Sequence, residues 1–271
     1  MQQRQSACKR MLLLFSEVTV FRTTSTRALP GSHVYRSVAF VALAVALTAM
    51  TSTVGAQARI MDTRPTVAVF YFDNGSLVDN AKYEPLRKGL AMMLGYELAR
   101  NPGIRVVERD KLQALLAEQN LQNSDRVDPA TAVRLGKLLG ARHFIDGTFI
   151  IDASKKLRID VRAVNTETGQ WDYVETIRGK SDRLLDIVGE LGAKINKGMK
   201  LPEIPIVKGA VVPAARGPNQ ERISQLVSRA EEEMDRGNTK YAATLYRNVL
   251  ELNKNYDLAQ TRLASIERLA K

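Results

Sequence analysis

Few side chains in this 271-residue chain are of types that do covalent chemistry, and those few stand far apart. Cys8 is the only thiol, and His33 and His143 are the only imidazoles. His143 has no nearby acid in the sequence to orient it as a base, so it reads as a structural or surface histidine. Asp73, Asn74, Gly75 and Asp79 gather oxygen ligands but lack the spacing and closing glutamate of a calcium loop, and turn formation accounts for them. Gly136 and Gly140 make no phosphate-cradling pattern, and neither a nucleophile elbow nor a Walker sequence occurs. Arg105, Arg109 and Asp110 read as a solvated strand end and a helix cap. The remaining candidates are aromatic, for protein contact: Trp171 and Tyr173 on a strand, Tyr241 and Tyr246 in the C-terminal segment. At period two, Trp171 and Tyr173 fit core or sheet-edge packing as well as an exposed contact face. No catalytic, cofactor or metal site is assigned, and the chain is not expected to be an enzyme.

The charge narrows the partners. Of the formal +11 at pH 7, residues 1–58 supply six Lys/Arg against one Asp/Glu, leaving +6 for the rest. That excess is spread out. It permits contact with anionic lipid or acidic partners, whereas nucleic-acid recognition wants a clustered basic stripe or stacking aromatics, so no nucleic-acid partner is expected. One cysteine excludes an intrachain disulfide. Removal of residues 1–58 would leave no thiol and one imidazole, which excludes a Cys/His nucleophile pair and a His- or Cys-rich zinc site.

Residues 38–49, VAFVALAVALTA, are uncharged and apolar, preceded by Arg36 and followed by Gly55, Ala56, Gln57 and Ala58. That order predicts a secretory signal peptide over 1–58, cleaved after Ala58. The run falls short of the roughly 20 apolar residues that span a bilayer. The long leader before it points to a translation start further downstream, near Leu29 or Val34. No cysteine follows the run to carry a lipid, so the expected product is periplasmic.

After a short segment, 59–65, the elements that must position any site begin. Residues 66–74, TVAVFYFDN, are rich in β-formers and end in a turn. Leu86, Leu90, Met93, Leu94 and Leu98 line one face of a helix stopped by Asn101, Pro102 and Gly103. Residues 104–107 form a short second strand. Asp110 caps a helix carrying Leu112, Leu115 and Leu116, and Asp128 with Pro129 caps another that ends at Gly140. A third strand follows over 144–151. Leu157, Ile159, Val161 and Ala163 alternate with Arg158, Asp160 and Arg162, a strand with one buried face, and a fifth strand holds Trp171, Tyr173 and Ile177. Ser181 caps a last helix with Leu184, Leu185, Val188, Leu191 and Ile195 inward. This order predicts an α/β fold, a mixed sheet ending in an antiparallel meander and packed by helices.

The motifs VAVFYFDN, RVVERDKLQALLAEQ, DPATAVRLGKLLGARHFIDGTF and VRAVNTETGQ stand in the order seen in the CsgG/HfaB family of curli secretion proteins, which the stretch 66–199 resembles. It is more weakly similar to the N-terminal domain of TolB and to the flagellar outer-membrane protein FlgO. The resemblance implies a periplasmic α/β domain, at 66–200 here, that oligomerises and works in envelope assembly or secretion. In the secretion channel itself it implies a lipid anchor and two inserted hairpins that build a barrel. A spanning hairpin needs roughly 20 residues or more, and the connections at 152–156 and 165–169 are only turns. The module without its channel is therefore expected. The alternatives are a channel subunit at the outer membrane whose barrel comes from another chain, or a TolB-like envelope-integrity component.

Residues 201–218 hold Pro202, Pro205, Pro213 and Pro218 and read as an extended linker. From 219 to 271 periodicity returns, and Leu226, Ala230, Gly237, Tyr241, Ala242, Tyr246, Leu250 and Leu252 fit a small α-helical hairpin of the tetratricopeptide type, with Leu263 and Ala264 resembling the start of a second repeat; a plain helical hairpin with no binding role is the alternative. One repeat buries too little surface to stand alone. The tail should pack on its own domain, on a second copy, or on a partner among envelope or secretion proteins.

Overall fold

The computed structural model describes residues 62–119, 128–202 and 217–269, all of which belong to one compact unit. The expected signal peptide with its cleavage site, and linker residues 203–216, lie outside the described residues.

Strand β1 (Thr66–Asn74) is buried from Thr66 to Phe72. Its apolar run is continuous because it is a central strand covered on both faces. Two parallel strands flank it, β2 (Arg105–Val106) and β3 (His143–Ile151). Beyond β3, β4 (Lys156–Asn165) and β5 (Trp171–Lys180) add antiparallel, giving the order β2-β1-β3-β4-β5. The expected mixed sheet with a terminal meander is the one observed. Both meander connections are tight. Asp152 Oδ1 accepts from the backbone N–H groups of Ser154 and Lys156 at 2.8 and 2.9 Å, and Asn165 Oδ1 accepts from Glu167 N–H at 2.9 Å.

Between the parallel strands run a single turn, α1 (Asn80–Tyr83), then α2 (Leu86–Ala99), α3 (Arg109–Glu118) and α4 (Pro129–Leu139). Asp128 caps α4 as expected, its Oδ1 accepting from Thr131 N–H at 2.9 Å, and Gly140 closes it at φ 63°, a left-handed conformation glycine adopts without Cβ strain. Two expected caps differ. Glu108 holds the N-cap position of α3 and Asp110 lies in its first turn. Ser181 opens a 3-10 turn, Ser181–Arg183, which delivers the chain to α5 (Leu184–Gly198); the intervening turn carries the serine away from the helix start.

On β4, Leu157, Ile159, Val161 and Ala163 are buried as the alternation requires. Helix α2 packs on β1 and α5 on β5, and the two helices pack on each other. The inward leucines, Val188 and Ile195 of α5 are buried, each contributing roughly 1.5–3 kcal/mol over an exposed position.

The C-terminal segment forms three helices, α6 (Gln220–Asp235), α7 (Thr239–Leu252) and α8 (Asp257–Leu269). Helix α7 packs on both neighbours, and α6 also packs on α2 and α5. Its buried side chains join the same hydrophobic cluster as the sheet. Of the three placements open to the tail, packing on its own domain is the one present.

Candidate functional site

Helix α6 meets the domain along a line of small residues. Gly89 of α2 lies against Ser228, whose Oγ would be 1.8 Å from a Cβ at that glycine. The buried hydroxyls there are satisfied within α6: Ser228 Oγ donates to Ser224 O at 2.6 Å, and Ser224 Oγ to Glu221 O at 2.8 Å. Such back-bonding brings no unmet donor to a dry interface.

One and two turns beyond Val227, the seam turns ionic. Glu231, with no exposed surface, receives Arg262 of α8 through Nε at 3.0 Å and Nη2 at 3.1 Å, Arg109 of α3 through Nη1 at 3.1 Å, and the hydroxyl of Tyr246 on α7. Asp235 receives Arg109 Nη2 at 2.8 Å and Lys88 Nζ of α2 at 2.5 Å. Arg109 and Lys88 also face the Tyr71 ring, at 5.7 and 5.5 Å from its centroid. Burial works against both guanidinium charges, but Glu231, joined by Tyr71 and Asp235 at Arg109 and by Tyr246 and Asp110 at Arg262, outweighs it and raises both pKa values. Burial, then Glu231, pushes the Tyr246 hydroxyl well above its ordinary range, and burial pushes Tyr71 up to about 12. The network ties α2 and α3 to all three tail helices. Removing one member of such a buried set leaves an uncompensated charge.

Arg109 therefore corrects the expectation of a solvated strand end, because the tail covers it from residues far along the chain. Glu231 was legible in one respect: it continues the buried line Ile223, Val227 at four-residue spacing, a carboxylate where the pattern asks for an aliphatic. Nothing local singles out Arg262.

The aromatic candidates separate. Tyr246 is wholly buried in this network, so its contact is with Glu231 of its own chain. Tyr241 is 47% exposed on α7. Tyr173 is half-buried, its hydroxyl donating to Glu175 at 2.8 Å and its ring against Gly198. Trp171 is 43% exposed, with the Arg162 guanidinium 4.7 Å over its ring. That guanidinium is itself held by both oxygens of Asp146, at 2.7 and 2.8 Å. Val174, paired with Arg162 across β4 and β5, is 67% exposed, so the outer strand presents an apolar spot on a rigid charged backing.

His143 gains an acid from a distant strand: its Nδ1 lies 2.8 Å from Asp172 Oδ2, without the alignment of a hydrogen bond. Burial, opposed by Asp172, lowers its pKa. The 73–79 cluster makes turn contacts, Asn74 Nδ2 donating to Asn80 O at 3.0 Å and its Oδ1 accepting from Ser76 N–H at 3.1 Å. Gly136 admits Thr166, whose Cγ2 would be 2.2 Å from a Cβ there.

Fold and site together define a mixed-sheet α/β module with a helical tail clamped onto it by buried ion pairs. Residues 48–152, less than half of the chain, match the family model described as curli production assembly/transport component CsgG. The match ends in the β3–β4 turn, short of β4, β5, α5 and the tail. Among solved structures, the LpoB C-terminal domain from Salmonella enterica is 15% identical, covering 43% of this chain and 83% of its own at TM-score 0.33. A PelC dodecamer from Paraburkholderia phytofirmans is 14% identical, covering 52% and 91% at 0.33, and TolB from Acinetobacter baumannii is 13% identical, covering 50% and 27% at 0.29. No curated protein matches the chain. Among the described residues, no helix is long and apolar enough to cross a membrane.

Proposed function

We propose that the protein is a periplasmic, non-enzymatic component of cell-envelope assembly or secretion, of the curli assembly/transport type, which acts through protein contacts. The observation that carries this reading is the CsgG match over residues 48–152, on a domain whose buried ionisable groups are engaged with one another. The tight β3–β4 and β4–β5 turns support a module without a membrane-inserted hairpin. On this reading a signal peptide over 1–58 exports the chain, 66–200 is the assembly domain, and 219–271 is a repeat-type tail that receives a partner's helix. Trp171, Tyr173 and Tyr241 supply further contact surface for envelope partners or a second copy of the domain in the periplasm.

Fractionation of native cells, followed by size-exclusion chromatography of the protein beginning at Arg59, tests this. Recovery from the periplasm as a monomer or small oligomer, with an envelope protein co-eluting, is the expected result. Recovery from the outer membrane as a large ring that conducts ions in planar bilayers would overturn it in favour of a channel subunit.

A further inference from the structure

The outward face of the meander gathers positive charge. On β4 and β5 the buried residues Leu157, Ile159, Val161 and Ile177 turn to the helix layer, where α5 packs on β5, so their neighbours turn away from it. Lys156, Arg158, Val174, Arg178 and Lys180 are exposed there. The register sets Lys156 opposite Lys180 and Arg158 opposite Arg178. Like charges directly opposite on a sheet face are destabilising, and these two pairs are adjacent. Nearby acids do not offset them: Asp160 already accepts from Arg158 Nε at 3.0 Å and Thr176 Oγ1 at 2.6 Å, Asp152 accepts from its own turn, and Asp182 lies past the strand's end. Among the described residues, Lys156, Arg178 and Lys180 form no ion pair.

A second observation is in the backbone. Strand β5 ends the sheet order. Ser181 N–H donates to Lys155 O at 2.9 Å, and opposed residues of an antiparallel ladder alternate between pairs that exchange hydrogen bonds and pairs that do not. Counting from that bond along the register, Glu175, Ile177 and Gly179 bond to β4, and the N–H and C=O groups of Val174, Thr176 and Arg178 point outward. Such an edge, on a strand of 10 residues without proline, is a template for another strand.

Charge and edge together select the strand that fits. Side chains two residues apart stand about 7 Å apart along one face, so carboxylates at alternate positions would meet Arg178 and Lys180 in turn. A second copy is disfavoured, because the outward residues of its β5, Val174, Thr176, Arg178 and Lys180, include no acid and would add charge of the same sign. On the protein-contact reading above, on which this rests, we propose that the β5 edge takes up an extended acidic segment of a partner protein as a further strand, with alternate carboxylates at Arg178 and Lys180 and an apolar residue beside Val174. Main-chain bonds supply the affinity of such an addition, and the alternate side chains its specificity.

Fluorescence anisotropy of a labelled peptide of alternating threonine and glutamate, titrated with the purified protein, tests this. Saturable binding is expected, at least tenfold weaker for the peptide with lysine in place of glutamate and for a fully N-methylated version, which keeps the charge and loses the strand's donors. Arg178→Glu combined with Lys180→Glu should reverse the preference toward the lysine peptide. Because those acids would face Arg158 and Lys156, the urea midpoint of the variant should rise, which also reports that it folds. Equal binding of the N-methylated peptide, an unchanged preference in the double variant, or no saturable binding of the acidic peptide, whether or not phosphatidylglycerol vesicles sediment the protein, would overturn the proposal. Periplasmic recovery with an envelope protein co-eluting, beside indifference to the peptide, would refute the strand addition alone.

Discussion

Glu231 and Arg262 lie 31 residues apart and meet through two parallel N–H···O bonds, at 3.0 and 3.1 Å, inside a seam where Glu231 exposes nothing. The pair closes a clamp that Arg109 completes from the α/β domain, so tail and domain share charges neither could bury alone.

Removing the central carboxylate should be severe. Glu231→Ala leaves Arg109 and Arg262 buried beside each other with no counter-ion at that point, and the expected loss is about 3–5 kcal/mol of unfolding free energy. Urea titration followed by circular dichroism measures it. An unchanged midpoint would show that the guanidinium groups find other partners.

The helix contact at Gly89 is steric, and its expected sign is opposite to that at Gly95. Gly89→Val places a side chain where Ser228 sits, its Cα only 2.9 Å from the new Cβ, and should pry α6 from α2. Faster hydrogen exchange in α6, α7 and α8, with β1 and β3 still protected, is the expected pattern. Gly95→Ala, whose Cβ would meet only Val106 Cγ1 at 3.8 Å and Val69 Cγ2 at 4.0 Å, should instead leave the protein as stable or raise stability by up to about 1 kcal/mol.

Acid should loosen the clamp through Asp235. Burial alone would raise its pKa, but the hydrogen bond and charge of Arg109, with those of Lys88, lower it below 3.8. A depressed folded value means that the unfolded chain takes up the proton first. This contribution is therefore present above about pH 4 and lost as pH falls through the folded value. Asp235→Asn should be less stable at pH 6 and show a smaller further loss between pH 4 and 2.5 than the parent, as urea midpoints would record.

His143 offers a clean titration, being one of two histidines in the whole chain. Burial lowers its pKa below 6.5, against the opposing pull of Asp172. Because the unfolded chain binds the proton more readily, its effect is a loss of stability as pH falls below 6.5. Asp172→Asn removes the charge that favours protonation, so the His143 ring resonances in NMR should titrate at a lower pH than in the parent.

The outer face of β5 should matter to partners and little to folding. Val174→Glu, at a position 67% exposed, should change stability by no more than about 0.5 kcal/mol. On the assembly reading it should also weaken capture of envelope proteins by cross-linking. Equal capture by parent and variant would remove this face from the contact surface.

Local pattern carried most of the architecture. The alternation of Leu157, Ile159, Val161 and Ala163, the apolar period of α5, the Asp128–Pro129 cap and the Gly140 stop each depend on neighbours a few residues away, so periodicity and capping chemistry suffice to place them. Ser181 and Asp110 were displaced by small changes in how the chain enters a helix, which composition does not encode. The site was another matter. Arg109 reads as solvated because its environment is built by α6 and α8, more than a hundred residues later. Asp172 reaches His143 only when β5 folds back through β4. Sequence by itself determined which segments become strands and helices and which faces turn inward, since those choices are local and repeat with a fixed period. The tertiary structure alone decided which charges lose water together, because desolvation depends on every element packed around a group, and no local period reports it.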